Sequence, residues 1–338
     1  MSGPAHRLAG RAVDALPPGL RRRVRSLAGR PGPREISLDT LDAALAEASA
    51  LMGTSPEQAQ ALLGRLVVAP PAPPPPDPFS DAYRAWTWDL YGRISGRAGY
   101  DTAHEASPFD LERALARPFP YQSGSLALVG RDLVARGHIL DTLSRTLAES
   151  AGTAGVAGVA GSSRRPRVVE FGAGWGNLTA DLVATGLDVT VVELDPKFCS
   201  LIGQRCKGPG ELTVHQGDML DFTTDEPFDA AVFFESFHHC ADHLALLDRL
   251  HRVVTPGGSV LFAAEPIQAL GYPWGPRLDG LSVWSSRTYG WLELGFDRHY
   301  FDAALARTGW VGRRLGLGAR PAETDIIVAS ASASASGR

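Results

Sequence analysis

Val168-Val169-Glu170-Phe171-Gly172-Ala173-Gly174-Trp175-Gly176-Asn177 is the stretch that decides the fold. A short apolar run ends in a carboxylate, and three glycines follow at alternate positions. The pattern predicts a buried parallel strand that runs into a tight turn and opens a helix. Glycine is what lets a backbone approach a ligand closely at such a turn. A dinucleotide fingerprint is spaced G-x-G-x-x-G, with the pyrophosphate on the helix N-terminus. Here the third glycine comes one residue early and Asn177 takes its place, which favours a nucleoside ligand without phosphates.

Outward from this loop the chain alternates. Strands are expected at 167–171, 189–193, 212–215, 229–234 and 258–264, with helices at 176–185, 196–205 and 242–254. Gly186 suits a helix C-terminus, and Asp195-Pro196 suits a helix start. A helix at 298–308 and a last strand at 325–329 follow. Such alternation predicts an α/β fold with a doubly wound parallel sheet and ligands at the C-terminal strand ends.

The second strand ends Val191-Val192-Glu193-Leu194-Asp195, and Glu193 lies 21 residues beyond Gly172. An acid there can accept hydrogen bonds from both hydroxyls of a ribose. After the third strand comes Gln216-Gly217-Asp218-Met219. Asp218 can accept from an exocyclic amine, and Met219 offers a soft apolar face to a ring. The fourth strand runs to Glu235, and Pro256-Gly257-Gly258 turns into the fifth.

Taken in order, Glu170 to Asn177, Glu193, Asp218, the strand ending at Glu235 and Pro256-Gly257-Gly258 resemble the successive motifs of class I S-adenosylmethionine-dependent methyltransferases. The resemblance covers roughly residues 167–330. It implies a Rossmann-like doubly wound sheet of class I methyltransferase type, an antiparallel final strand at Thr324–Ala329, and an N-terminal helical extension. It also implies S-adenosyl-L-methionine as cofactor and S-adenosyl-L-homocysteine as product. Gly172, Ala173, Gly174, Trp175, Gly176 and Asn177 would run along the methionine part, and Glu170 would hold its amino group. Glu193 with Leu194 would serve the ribose, and Asp218 with Met219 the adenine. Tyr121-Gln122 is a candidate contact to the methionine carboxylate.

The rest of the chain divides by composition. Residues 1–36 read as a disordered basic arm, with Arg21-Arg22-Arg23. Residues 37–150 read as a helical cap that helps build a substrate region. Within it two helices are expected over 37–68, capped by Ser37 and Ser55, followed by a Pro-rich linker and an aromatic-laden helix over 79–97. A long helix is expected at 126–148. Residues 151–165 read as a flexible connector to a cofactor-binding domain at 166–330, and 331–338 as a disordered tail.

Methyl transfer from a sulfonium is an in-line displacement, and an alcohol or phenol acceptor must also lose a proton. Candidates for that step follow the fourth strand: Glu235, His238 and His239, the histidines having a suitable unperturbed pKa. An aromatic insert at 265–295 holds Trp274, Arg277, Trp284 and Arg287. Their flat faces and charged groups suit a polar ring such as a sugar. O-methylation of a small or medium polar acceptor, such as a sugar-containing or other specialised metabolite, is the expected activity. N- or C-methylation, a nicotinamide-dependent oxidoreductase and a non-catalytic binding member of the fold are the alternatives. Glu235, His238 and His239 are of suitable type for a divalent ion, but their local spacing is not that of a dedicated metal site, so no metal ligand is assigned.

Bulk composition narrows the partners. The chain has 338 residues, 44% hydrophobic, with net charge -4. That balance, without a basic stripe interleaved with aromatics, argues against nucleic acid. No apolar stretch is long enough for a membrane span. Cys199, Cys206 and Cys240 form no zinc or C-x-x-C pattern, which fits a reduced, cytoplasmic protein. A small-molecule acceptor is the expected partner, and a homodimer is one expectation for the assembly.

Overall fold

The structure, a computed structural model, describes residues 34–52, 55–70, 72–106, 108–150, 164–316 and 325–332. Most of the basic arm, of the expected connector and of the expected tail therefore lies outside the described residues, and Arg34–Ile36, expected in that arm, form a strand. The chain divides into two compact units, one formed by 1–71 with 278–284 and the other by 72–277 with 285–338. The boundary thus falls inside the stretch expected to form a single helical cap.

In the first unit two helices, Leu41–Met52 and Pro56–Leu63, appear where helical spacing predicted them. Leu41, Ala44, Leu45 and Ala48 are buried along one face. Two short strands were not expected: β1 (Arg34–Ile36) and β2 (Leu66–Val68) pair in parallel. The expected caps are also corrected. Neither Ser37 nor Ser55 makes a side-chain capping bond, and Ser37 precedes a 3-10 turn over Leu38–Thr40 instead.

The second unit is built on a seven-stranded sheet. Its strands are β3 (Arg167–Phe171), β4 (Asp188–Glu193), β5 (Leu212–Gln216), β6 (Phe228–Phe234), β7 (Val254–Ala263), β10 (Trp310–Leu315) and β11 (Ile326–Ala331). They lie in the order β10-β11-β7-β6-β3-β4-β5. β3 pairs in parallel with both β4 and β6, so the winding reverses beside the glycine loop. This is where an open α/β sheet presents its ligand crevice. β11 runs antiparallel to β7, as the resemblance implied, and β10 adds a second antiparallel strand at the edge. β10 was missed because Gly312, Arg313 and Arg314 interrupt the apolar pattern of a strand exposed at the sheet edge. Ala331, expected in the tail, belongs to β11.

Buried apolar side chains knit the parallel strands. Phe171, Phe233 and Phe262 sit in register on β3, β6 and β7, and their rings stack at 4.9 and 5.4 Å. Such cross-strand aromatic pairs add about 0.5–1.5 kcal/mol each beyond area burial. The insert is more ordered than its sequence implied. It holds a hairpin of β8 (Trp274–Pro276) with β9 (Leu294–Phe296) and a helix, Gly280–Tyr289. The aromatic helix Asp81–Ser95 is capped by Ser80, whose hydroxyl accepts from the Tyr83 N–H. It turns Tyr83 and Tyr91 inward, their hydroxyls donating to Trp274 O at 2.8 Å and Gly290 O at 2.6 Å. Among the described residues no helix is long and apolar enough to cross a membrane.

Candidate active site

The glycine loop leaves β3 with three left-handed residues in alternation, Gly172, Gly174 and Gly176. Each does a different job. A Cβ on Gly172 would lie 2.6 Å from Ser236 Cβ, so this glycine lets the loop close on the end of β6. Ser236 completes that closure by donating its hydroxyl to Phe171 O at 2.6 Å. A Cβ on Gly176 would meet Ile202 at 2.9 Å, so this one seats the helix Asn177–Ala184 on its neighbour Pro196–Arg205. A Cβ on Gly174 would meet nothing within 4 Å. That glycine faces open space, where a ligand backbone can approach.

Glu193 ends β4 and is buried. Its Oε2 accepts the Gly174 N–H at 2.9 Å and its Oε1 the Asp195 N–H at 3.1 Å. Burial pushes its pKa up, and the backbone donors offset part of that. Each carboxylate oxygen retains acceptor capacity for a hydroxyl. Asp218 follows β5, partly exposed, with Oδ1 accepting the Leu220 N–H at 2.8 Å; Met219 beside it packs against the main core. Glu170 is buried under the loop, where burial lifts its carboxyl to about 7 although Thr179 donates to it at 2.6 Å.

The far side of the crevice is made by the strained ends of β6 and β7. Glu235 and Ala264 both carry positive φ, 52° and 55°, a cost of roughly 1–3 kcal/mol each that the surrounding structure must hold in place. The turn after Glu235 wraps around the buried carboxylate of Glu265, which accepts the N–H groups of Ser236, Phe237 and His238 at 2.8, 2.8 and 3.2 Å. His238 Nδ1 also meets Glu265 at 2.8 Å, and its Nε2 lies 3.7 Å from Glu293. Burial alone would raise the Glu265 carboxyl; His238 and these donors hold it below its ordinary value. The His239 ring lies 4.3 Å from that of His238, tilted by 37°, and its Nδ1 lies 3.2 Å from Glu105. Burial works against its charge, but Glu105, Glu293 and Glu265 outweigh that and raise its pKa to about 9.

Residues 169–262 match a family model described as a methyltransferase domain. The match spans β3 to β7 and contains the glycine loop, Glu193, Asp218 and both histidines. Over this stretch the chain is similar to methyltransferase domains. An uncharacterized methyltransferase of Oceanobacillus iheyensis is 35% identical over 99 residues, covering 28% of this chain and 45% of that protein. The ribosomal RNA small subunit methyltransferase A of Pseudomonas fluorescens is 28% identical over 102 residues, covering 30% of this chain and 33% of that protein. The chain thus spans less than half the length of these curated relatives. Among solved structures, CalS10, an amino pentose methyltransferase from Micromonospora echinaspora, is similar at 17% identity and a TM-score of 0.43, over 68% of this chain and 100% of that one.

Within the matched stretch, Gly174 and Glu193 share a hydrogen bond and Asp218 follows β5, while Glu235, His238 and His239 follow one another after β6. Other expected residues have different work. The Asn177 amide donates to Phe119 O at 2.7 Å and its Oδ1 accepts from Arg205 at 2.8 Å, so its side chain ties the 118–120 segment to the loop. Trp175 packs on Phe109 and Phe198 at 5.0 and 5.3 Å. The Tyr121 hydroxyl accepts from buried Arg136 at 3.2 Å, while Gln122 remains partly exposed. Arg136 is itself held by Asp132 and Asp181. Ala173 and Leu194 line the loop as partly buried backbone neighbours.

The substrate candidates fare less evenly. Trp274 is 4% exposed, wedged against Tyr83 and His243, with its indole donating to Pro78 O at 2.9 Å. It is a core residue rather than a ligand contact. Trp284 belongs to the first unit, where its indole donates to Ser49 at 3.2 Å. Arg277 lies 3.8 Å from Glu293, and Arg287 rests on the backbone of Gly96. Three carboxylates were missed: Glu105, Glu265 and Glu293. Glu105 sits in an irregular stretch between helices, where nothing local marks it; only the fold brings it to His239. Among the described residues no group of His, Cys, Asp or Glu is arranged to hold a metal ion.

Proposed function

We propose that this chain is a cytoplasmic enzyme that methylates a hydroxyl of a small or medium polar acceptor, such as a sugar-containing or other specialised metabolite. The observation that carries this reading is the pairing of His239 Nδ1 with Glu105 at the end of β6. Its Nδ1 faces a carboxylate 3.2 Å away, which leaves Nε2 as the nitrogen that can take a proton from an acceptor.

Bound S-adenosylmethionine supplies the electrophilic methyl group on its sulfonium. The open face of Gly174 fits its methionine part, the remaining acceptor capacity of Glu193 and the partly exposed Asp218 fit its nucleoside, and Glu170 fits its amino group. His239, neutral, receives the hydroxyl proton on Nε2 as the oxygen attacks, and Glu105 stabilises the imidazolium that forms. Because Glu105 raises the pKa of His239 to about 9, the neutral form is scarce at pH 7. His238, held between Glu265 and Glu293, positions the turn and does not reach for a proton.

Titration calorimetry with S-adenosylhomocysteine tests the cofactor half, and methyl transfer from labelled S-adenosylmethionine over a panel of sugars, phenols and amines tests the acceptor half. Absence of S-adenosylhomocysteine binding to folded protein refutes the reading. Turnover on an alcohol that is unchanged in His239→Ala removes His239 as the base.

A further inference from the structure

Beside His239 lies a second group of polar side chains with no role in the scheme above. The helix Asp81–Ser95 ends in left-handed Gly96, and the helix Gly280–Tyr289 ends in left-handed Gly290. The side chain of Arg97 lies over Gly290, its Cζ 3.0 Å from where a Cβ would stand, and the guanidinium of Arg287 lies over Gly96. Each arginine therefore occupies the space that glycine leaves on the opposite segment, and two cations interlock at one joint.

This joint is contiguous with the histidine. Trp291, next to Gly290, meets the His239 ring edge to face at 6.4 Å and packs on Tyr289 at 4.8 Å. The Leu292 N–H donates to Glu105, the partner of His239, at 2.8 Å. Buried nitrogens here are left without a hydrogen bond among the described residues, Arg97 Nε and Trp291 Nε1 among them. Both can only donate. Nearby acceptors are spoken for, since the Gly290 carbonyl takes the Tyr91 hydroxyl, Glu105 takes His239 and Glu293 faces Arg277. Two buried N–H donors, one of them on a guanidinium, call for a ligand that is acceptor-only and planar.

We propose that Arg97 and Trp291 form a carboxylate-binding subsite for the acceptor, with Arg287 contributing charge. The acceptor is then an acidic molecule, such as a uronic acid or a hydroxybenzoate, presenting its hydroxyl to His239. The inference rests on the proposed methyl transfer and names the class of its acceptor. It also accounts for the two glycines, because a side chain at either would displace a guanidinium.

The test uses the full chain saturated with S-adenosylhomocysteine, whose own binding is measured first. Glucuronate is compared with glucose, and 3,4-dihydroxybenzoate with 3,4-dihydroxybenzyl alcohol, by calorimetry or saturation-transfer NMR. At least one acid is expected to bind about ten-fold or more tightly than its neutral partner, as a charge-assisted pair requires. Arg97→Gln should abolish that preference, and Trp291→Phe, which keeps the ring and removes the N–H, should reduce it several-fold. If both acids bind no better than their neutral partners, or do not bind, the subsite is refuted. So it is if Arg97→Gln retains the preference. Loss of S-adenosylhomocysteine binding would instead strike the methyltransferase reading, so the two failures are distinguishable.

Discussion

The two sides of the crevice are built by different rules. On the cofactor side, loop, helix and acid follow one another along β3, β4 and β5, and the important contacts are short in sequence: the Gly174 N–H meets Glu193 only 19 residues on. On the acceptor side, Glu105, His239, Glu265 and Glu293 come from four separate segments, and Glu105 meets Leu292 across 187 residues. The first side is fixed by turn geometry. The second depends on a web of buried carboxylates and histidines, in which each charge is tolerated only because another neutralises it.

This difference predicts which substitutions separate binding from chemistry. The largest effect is expected from His239→Ala. Loss of a positioned base should lower kcat by about 10²–10⁴-fold, with S-adenosylhomocysteine affinity unchanged, measured by single-turnover kinetics and calorimetry. Glu193→Ala should do the reverse. Removing hydrogen bonds to a charged acceptor costs about 1.5–3 kcal/mol each, so S-adenosylhomocysteine affinity should fall roughly 10–100-fold or more. A matching loss of affinity in His239→Ala would mean that the two sides are not separable.

The next effect is one of pH. Catalysis needs neutral His239, so wild-type kcat should rise with pH and level off above about 9. Glu105→Gln removes the carboxylate that raises this pKa, and the midpoint of the profile should move down. A midpoint that stays in place would show that Glu105 does not tune His239. The same pair links to stability. His239 has a folded pKa above its unfolded value of about 6.5, so its contribution is fully present below about pH 6.5 and is lost as pH rises through about 9. His243 works in the opposite sense. Burial holds it neutral with a pKa near 3, so the folded state resists protonating it and stability declines as pH falls from about 6.5 toward 3. Melting temperatures measured across pH 4–10 should decline at both ends, and His243→Phe should flatten the acid limb.

The smallest effect is expected at the seam with the preceding segment. Asn177→Ala frees Phe119 O and one contact of Arg205, and should cost about 1 kcal/mol in stability with a modest weakening of S-adenosylhomocysteine binding. Denaturant melts read the first and calorimetry the second.

How much was legible follows the same division. The five parallel strands and the helices between them could be read because strand-turn-helix units announce themselves by apolar runs, capping acids and glycines. Asp195 shows this, capping its helix through the Lys197 N–H as its position before Pro196 implied. The bonds of Asn177 to Phe119 and Arg205 were not legible, because its place in the loop says where it is but not what its side chain touches. Trp274 was misread because an aromatic in an irregular insert looks exposed until the hairpin β8–β9 folds it inward. β1, β2 and β10 were missed because three-residue or edge strands carry too little apolar pattern to register.

The sequence by itself determined the doubly wound sheet and the tight glycine turn that opens a helix after its first strand, because these depend on backbone conformation and local periodicity. Tertiary structure alone decided that Glu105 meets His239, that Glu265 gathers the turn after β6, and that Arg97 and Trp291 hold unused donors beside them. The physical reason is that charge pairing acts through space. A carboxylate on an irregular segment has no meaning in sequence until folding places it within hydrogen-bond reach of its partner.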